Sequence, residues 1–339
     1  MRDFQEKLRI GLAATLLIFY AGSVSAACMG RDLMADLPKH QRASLDEIIK
    51  SDPFANGNFW RAEKHEQVID LIGTMHLPDP RSEQVLTRAK PLLAQAKHLL
   101  VEATPDQMAA LRAQIAQDPQ LLFRITGPTL PEILSQQEWA RLKTTLSVRG
   151  IPPFLAAKMQ PWYLSMLLQT PPCLANATQG TPSSATLMSG MPPGLDALLM
   201  AEAQRRALPL TGLEPPETTL QAMASLTLDQ QLAMLRAELS QNDQADDLFA
   251  TMTDAYFRGE HRLIWEFNRQ RQPDSQSGDF TQVESLLLDQ RNVLWIPQII
   301  HAAQTGPVVV AVGAAHLSGP MGLLELLHQQ GFALRQIDP

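Results

Sequence analysis

Short apolar runs and longer amphipathic stretches alternate along this chain. Apolar residues recur at helical spacing between residues 83 and 96, and the runs on either side have the length of strands. The run at residues 307–312 is apolar throughout, which is typical of a strand buried on both faces. The order strand, helix, strand predicts an α/β fold. Strand-length runs occur at residues 68–72, 98–101, 208–213, 307–312 and 333–337.

Most of the remaining sequence has a helical pattern. We expect helical regions at about 105–170 and 217–303, interrupted where proline and glycine cluster. Further helices are expected at 44–50 and 59–65. Residues 170–194 are rich in proline, glycine and serine, which indicates a loop.

The N-terminus has the pattern of an export signal. Basic residues precede an uncharged apolar run at residues 10–24, which ends in the small residues that signal peptidase accepts. A membrane anchor is the alternative, but the apolar part is shorter than the ~20 residues that a span needs. We therefore expect a signal peptide at residues 1–26 and a single mature domain at 27–339, located in the periplasm or secreted.

Composition narrows the range of partners. The net charge is -7, so the chain has no overall positive field with which to hold phosphate backbones. We expect a peptide or small-molecule substrate and no nucleic-acid partner. Contact with a membrane is expected only through the signal peptide or a lipid anchor, and the sequence leaves the oligomeric state open.

The chain has two cysteines, Cys28 and Cys173. In an oxidising, exported compartment the simplest interpretation pairs them in a disulfide. Residues 25–28 also resemble a lipobox that lacks its usual leucine, so a lipidated Cys28 is the alternative.

Four chemically versatile residues occupy equivalent places, each at or just beyond the end of a predicted strand. They are His76, Glu102, Glu214 and His316. The carboxyl ends of parallel strands converge on one crevice, where ligands of α/β proteins bind. Imidazole and carboxylate groups suit zinc, manganese, iron or cobalt, so the four predict a divalent-metal site.

Each histidine ends a G-x-x-H motif, in which the glycine permits a tight turn after the strand. The alternative for each histidine is a hydrogen-bonded loop anchor. Each glutamate could instead serve the free amides of the helix that follows it. Arg291 could form a buried ion pair with Glu102 or Asp196, or bind a substrate carboxylate.

Motifs in the same order and spacing along nearly all of the mature chain resemble the TraB/GumN family. They are Gly73-Thr74-Met75-His76, Pro78-Asp79-Pro80-Arg81, Leu100-Val101-Glu102, Lys158-Met159-Gln160-Pro161-Trp162, Gly194-Leu195-Asp196, Gly212-Leu213-Glu214, Arg291-Asn292 and Gly313-Ala314-Ala315-His316-Leu317. That family is similar to the Tiki metal-dependent proteases and to the erythromycin-esterase and ChaN-like group.

The resemblance implies a central mixed, mostly parallel sheet with extensive surrounding helices. It also implies a metal-dependent hydrolase, with a peptidase as one form, and the Tiki relatives favour manganese or cobalt as the metal. Carried over by motif, His76, His316 and Glu102 would be metal ligands. Glu102, Glu214 and Arg291 would form the catalytic set.

Two other functions stay open at this point. The ChaN-like relatives suggest a non-catalytic protein that binds haem, iron or another small ligand in the same crevice. A scaffold or regulatory protein whose site has lost activity is the third. Metal content and peptide hydrolysis distinguish the first hypothesis from the other two.

Overall fold

The computed structural model describes Cys28 and residues 30–52, 54–177, 194–271 and 277–337. It has an α/β fold, built on a mixed six-stranded sheet in the order β4-β3-β5-β2-β1-β6. Three neighbouring pairs are parallel and two are antiparallel. The strands are β1 Phe59–Lys64, β2 Gln67–Thr74, β3 His98–Val101, β4 Leu210–Gly212, β5 Val308–Gly313 and β6 Ala333–Gln336.

Helices surround this sheet and make up most of the described chain. In chain order they are α1 Lys39–Ser51, α2 Ser82–Gln95, α3 Pro105–Gln117, α4 Leu130–Ile133, α5 Gln136–Ser147, α6 Pro153–Ala156, α7 Pro161–Leu168, α8 Pro172–Ala177, α9 Leu195–Arg205, α10 Glu217–Ala224, α11 Leu228–Gln241, α12 Ala245–Phe257, α13 His261–Gln270, α14 Ser277–Glu284, α15 Gln290–Ala303 and α16 Leu323–Gln329. A π-helical turn, Ser285–Asp289, joins α14 to α15.

Strand β5 lies inside the sheet and is buried on both faces, as its valine-rich run predicts. Val308, Val310 and Val312 pack with α15 and α16 on one face. Val309 and Ala311 pack with α2 and α9 on the other. Apolar burial on both faces is what covers a parallel sheet from water.

The parallel register aligns the carboxyl ends of neighbouring strands. Thr74 of β2 lies opposite Gly313 of β5. Val101 of β3 lies between Ala311 of β5 and Gly212 of β4. Each of these four strands therefore ends at the same edge of the sheet, and the residues that follow them meet there.

The helix predicted at 59–65 is wrong, because Phe59–Lys64 is strand β1. It pairs antiparallel with β2 and, on its other side, with β6 at the far end of the chain. Buried Phe59, Trp60 and Ala62 anchor it in the core. Its pairing with two strands, β2 after a two-residue turn and β6 about 270 residues away, outweighs the local helical pattern.

The helical segments α3–α7, α10 and α11 share a hydrophobic core of their own beside the sheet. Its largest buried member is Trp162, packed among leucines of the neighbouring helices. This region follows directly from the ends of β3 and β4, so it lies next to the strand-end residues.

Cys28 and Cys173 form a disulfide, with Cα atoms 5.5 Å apart. The sulfur of Cys28 is engaged in this bond, which favours the disulfide over a lipid anchor. Within the region predicted as a loop, Pro172–Ala177 is a short helix, and residues 178–193 lie outside the described chain. The predicted signal peptide also lies outside it. Among the described helices, none is both long enough and apolar enough to span a membrane.

Candidate functional site

The structure brings the four strand-end residues to one edge of the sheet. Glu102 follows directly on β3, and His76 comes two residues after β2. Glu214 comes two residues after β4, and His316 ends a single 3-10 turn that follows β5. Their convergence follows from the aligned strand ends, as the sequence pattern predicts.

The Arg291 guanidinium forms ion pairs with both glutamates, Glu102 and Glu214. Its Nη2 donates to Glu102 Oε2 at 2.6 Å, and its Nε donates to Glu214 Oε1 at 2.8 Å. The other oxygen of Glu214 accepts a hydrogen bond from Trp295 Nε1 at 3.2 Å. The Arg291 guanidinium also lies over the indole of Trp295, with 4.8 Å to the ring centroid. Of the two partners predicted for Arg291, Glu102 is the one it contacts.

The π-helical turn before α15 sets the position of Arg291. A π turn holds one more residue than an α turn, which shifts the rotational register of the helix that follows. Arg291 Nη1 donates to the carbonyl oxygen of Leu287, inside this turn, at 2.8 Å. The arginine is thereby held to the turn that places it between the glutamates.

His316 is buried and held in one orientation. Its side chain is 4% exposed and its ring stacks on Trp295, with 4.6 Å between centroids. Its Nδ1 lies 2.7 Å from Asn292 Oδ1, and the Asn292 amide nitrogen donates to the Met321 carbonyl oxygen. Since Asn292 Oδ1 is an acceptor here, Nδ1 carries the proton and Nε2 keeps its lone pair. That Nε2 faces Arg291 Nη1 at 3.3 Å and Glu102 Oε1 at 3.9 Å.

His76 lies at the open side of the same group, with its side chain 59% exposed. Its Nε2 is 3.6 Å from Glu102 Oε1, and its Nδ1 is 3.3 Å from Asp196 Oδ1. The two G-x-x-H histidines therefore have the same arrangement of ring nitrogens. Each has Nδ1 beside an oxygen acceptor, and each turns Nε2 toward the same carboxylate oxygen.

Gly313 keeps the space among these groups open. Its backbone N–H donates to Glu102 Oε1 at 2.8 Å. A Cβ at this position would lie 3.3 Å from Glu102 Oε1 and 3.4 Å from His76 Nε2. Any larger residue would fill the region that the donor atoms face.

The two histidines of the site have pKa values shifted in opposite directions. Protein atoms around His76 lower the solvation of its charged form, but Asp196 and Glu102 outweigh this and raise its pKa well above the ordinary value. Burial lowers the pKa of His316 to about 3, despite the nearby charge of Glu102. His316 is therefore neutral at physiological pH, and the metal-free His76 is charged.

The acid and the arginine are both ionised. Burial opposes the ionisation of Glu102, but its interaction with His76 and the charge of Arg291 hold its pKa well below the usual range. Burial likewise opposes the charge on Arg291, but Glu102 and Glu214 raise its pKa. The site thus contains a fixed ion-pair network beneath an exposed imidazole.

As they stand, no three or more His, Cys, Asp or Glu side chains in the described ranges lie close enough to hold a metal ion. In the strand-end site, His76 Nε2 and His316 Nε2 lie 3.6 and 3.9 Å from Glu102 Oε1. Ligands around a tetrahedral ion with ~2.1 Å bonds lie about 3.4 Å apart. The donors thus match a divalent cation in chemical type, but as they stand they lie too far apart to hold one.

The roles of two supporting residues were not predicted from the sequence. Asp196 and Asn292 both occur in the quoted motifs, but the sequence indicated neither as the partner of a histidine. The available signals were that Asn292 directly follows Arg291 and that Asp196 ends the Gly194-Leu195-Asp196 motif. His261, which showed no ligand spacing in the sequence, is buried and bonds to Ser318 Oγ and the Gly57 carbonyl oxygen. It therefore braces the His316 loop.

Comparison with known proteins agrees with the motif pattern. A model of the TraB/PrgY/gumN family matches residues 58–336. The chain is 27% identical over 260 residues to a protein of Escherichia coli (strain K12) named "Uncharacterized protein YbaP", across 76% of this chain and 86% of that protein. A protein of the same name from Shigella flexneri gives the same values. The family match includes all six strands and every residue of the site.

Proposed function

Because the chain belongs to the TraB/PrgY/gumN family, and because two histidines turn toward one carboxylate in its site, we propose that it is a metal-dependent hydrolase. The observation that carries the proposal is the convergence of His76 Nε2 and His316 Nε2 on Glu102 Oε1. A carboxylate and two imidazoles are a common donor set for a catalytic divalent cation.

The residues that would hold the cation are His76, His316 and Glu102. When bound, a divalent cation lowers the pKa of a water and polarises a carbonyl group of the substrate. Metal-binding histidines commonly donate their second nitrogen to an oxygen acceptor, and Asp196 and Asn292 are placed for this. His316 Nε2 would give up its 3.3 Å contact with Arg291.

Arg291, Glu214 and Glu102 have different roles in the proposed site. Arg291 holds Glu102 Oε2, which leaves Oε1 directed at the histidines. Both oxygens of Glu214 accept hydrogen bonds, from Arg291 and Trp295. The geometry therefore favours Glu214 as the anchor of Arg291 over the proton transfer expected from sequence. Both oxygens of Glu102 likewise accept hydrogen bonds, from Arg291 Nη2 and the Gly313 N–H, so we assign Glu102 to holding the cation and not to proton transfer.

The mature protein, loaded with Mn²⁺, Co²⁺ or Zn²⁺, should cleave members of a peptide library, read out by mass spectrometry. A peptide is the first substrate to test because of the resemblance to the Tiki proteases. His76→Ala should lose cleavage, whereas His40→Ala, which changes an exposed histidine on α1, should retain it. Equal cleavage by wild type and His76→Ala, or no cleavage with any of the metals, contradicts the proposal.

A haemin titration tests the ligand-binding alternative in the same samples. A Soret shift that disappears in His76→Ala, together with the absence of hydrolysis, favours a haem-binding protein. Retention of the cellular phenotype by a His76→Ala, His316→Ala double variant favours a scaffold.

We also propose that the protein acts outside the cytoplasm, in the periplasm of a bacterial cell or as a secreted protein. The apolar N-terminal run and the Cys28–Cys173 disulfide support this location, since disulfides persist in oxidising compartments. Fractionation of cells that express the full chain tests it. Recovery of the protein in the cytoplasmic fraction, with its N-terminus still at Met1, contradicts it.

A further inference from the structure

His76 and His316 differ in what holds them. His316 is buried, stacked on Trp295 and bonded through Asn292. The His76 side chain is 59% exposed, so core packing does not fix its ring. An exposed imidazole that rotates freely loses conformational entropy when a ligand fixes the direction of one ring nitrogen. A partner that already holds the ring in that direction lowers this entropy cost of binding.

The segment that carries Asp196 is built against the His76 turn. The Leu195 N–H donates to the Met75 carbonyl oxygen at 3.0 Å. Gly194 approaches so closely that a Cβ there would overlap the backbone carbonyl of His76. Leu195 and Leu199 are fully buried in the core beside the sheet, which anchors α9. Asp196 is therefore held at a fixed place relative to the His76 backbone.

The Asp196 carboxylate faces the ring. Its Oδ1 is buried and makes no hydrogen bond of good geometry within the described ranges. The charged group it faces is His76 Nδ1, 3.3 Å away. The side chain does not cap α9, whose N-cap residue is Gly194 with no side-chain cap bond. Capping of the helix therefore does not explain why the Asp196 carboxylate points at His76 Nδ1.

We propose that Asp196 is the positioning residue of His76: it holds Nδ1 and so directs Nε2 at Glu102 Oε1. This rests on the proposed function in one respect, that His76 Nε2 is the working nitrogen of the site. Asp196 then does for the exposed histidine what Asn292 does for the buried one. An oxygen partner at the second nitrogen of a ligand histidine commonly contributes 10–100-fold to metal affinity.

Two measurements on Asp196→Ala test the proposal. The first is long-range ¹H–¹⁵N NMR of the metal-free protein at a pH where His76 is neutral. Wild type should carry its proton on Nδ1, and Asp196→Ala should lose that preference. The second is Co²⁺ affinity by calorimetry, which should fall about 10–100-fold in Asp196→Ala. Asp196→Asn keeps the shape of the side chain and an oxygen at this position. Its Nδ1 preference and its Co²⁺ affinity should therefore lie between those of wild type and Asp196→Ala. It replaces the alanine variant in both measurements if Asp196→Ala does not fold.

Asp254→Asn is the matched control. It removes an equal charge from the neighbouring helix α12, where Asp254 pairs with Arg81. It should leave both readouts unchanged. An unchanged tautomer in Asp196→Ala overturns the positioning role, and so does an equal loss of Co²⁺ affinity in Asp254→Asn. If wild type binds no Co²⁺ but the tautomer still depends on Asp196, the metal proposal fails and the positioning role stands.

Discussion

Arg291 Nη2 and Glu102 Oε2 lie 2.6 Å apart although 189 positions separate the residues in the chain. This bond links the end of β3 to the start of α15, and the same guanidinium holds Glu214 at the end of β4. The Arg291 side chain is only 9% exposed. The strand-end site therefore depends on one buried cation for its charge balance.

Replacement of Arg291 by methionine should be strongly destabilising, because it leaves Glu102 and Glu214 without their cation. Removing one partner of a buried ion pair costs about 3–5 kcal/mol. Urea unfolding measures this directly. Arg141→Met is the matched control, since Arg141 forms an exposed pair with Asp243 and should change stability by less than about 1 kcal/mol. A similar small effect for both variants contradicts the role given to Arg291.

Gly313→Ala should impair the site and spare the fold. Its φ of -49° and ψ of 134° suit alanine, so the change in unfolding free energy should be below about 1 kcal/mol. The new methyl group would nonetheless lie within 3.4 Å of Glu102 Oε1 and His76 Nε2. Hydrolysis should therefore be lost. Full activity in a stable Gly313→Ala variant would mean that the donors do not use this space.

Gly194→Ala should destabilise the fold. A Cβ there would overlap the backbone of His76, which must shift to admit it. Overpacking of this kind costs about 1–3 kcal/mol. Thermal unfolding should show a lower midpoint for Gly194→Ala than for Gly313→Ala. The reverse order would contradict the close approach of these two segments.

His261 should make the protein less stable in acid. Burial lowers its pKa from 6.5 to about 4, so the unfolded chain binds a proton there before the folded protein does. As the pH falls from 6.5 to 4, this difference favours unfolding by about 3 kcal/mol in total. Urea unfolding of wild type and His261→Asn across this range should show a smaller decline for the variant. Parallel declines would show that His261 is not buried as a neutral ring.

The Cys28–Cys173 disulfide should contribute to stability. It joins residues 145 positions apart, and bridges across long segments typically stabilise by about 2–4 kcal/mol. Reduction should lower the unfolding midpoint of wild type and leave a Cys28→Ser, Cys173→Ser variant unchanged. Intact mass should show no free thiol in the exported protein. Two free thiols, or a lipid on Cys28, would contradict the bridge.

The strand-end residues could be predicted from sequence because local patterns specify them. A buried apolar run followed by glycine and a polar residue indicates where a parallel strand stops, as at His316. Parallel pairing then brings such ends together whatever their distance in the chain. Glu102 and Glu214 were predictable for the same reason.

The partners of the two histidines could not be predicted, because they depend on packing between distant elements. For Arg291 the sequence left two partners open, Glu102 and Asp196, and only the position of α15 after the π turn at Ser285–Asp289 selects Glu102. The contact of Asp196 with His76 requires the start of α9 to meet the turn after β2. Strand β1 was mistaken for a helix because its pairing with both β2 and β6 outweighs the local helical pattern of residues 59–65.

If His76, Glu102 and His316 form one donor set, the protein should bind one metal ion per chain through all three. Mn²⁺ bound per chain should be measured by calorimetry and elemental analysis for wild type, Glu102→Gln and His316→Ala, with His40→Ala as control. Wild type and His40→Ala should each bind one ion per chain, and Glu102→Gln and His316→Ala should bind Mn²⁺ at least about 100-fold more weakly. Equal Mn²⁺ binding by wild type, Glu102→Gln and His316→Ala, at any level, would contradict this donor set.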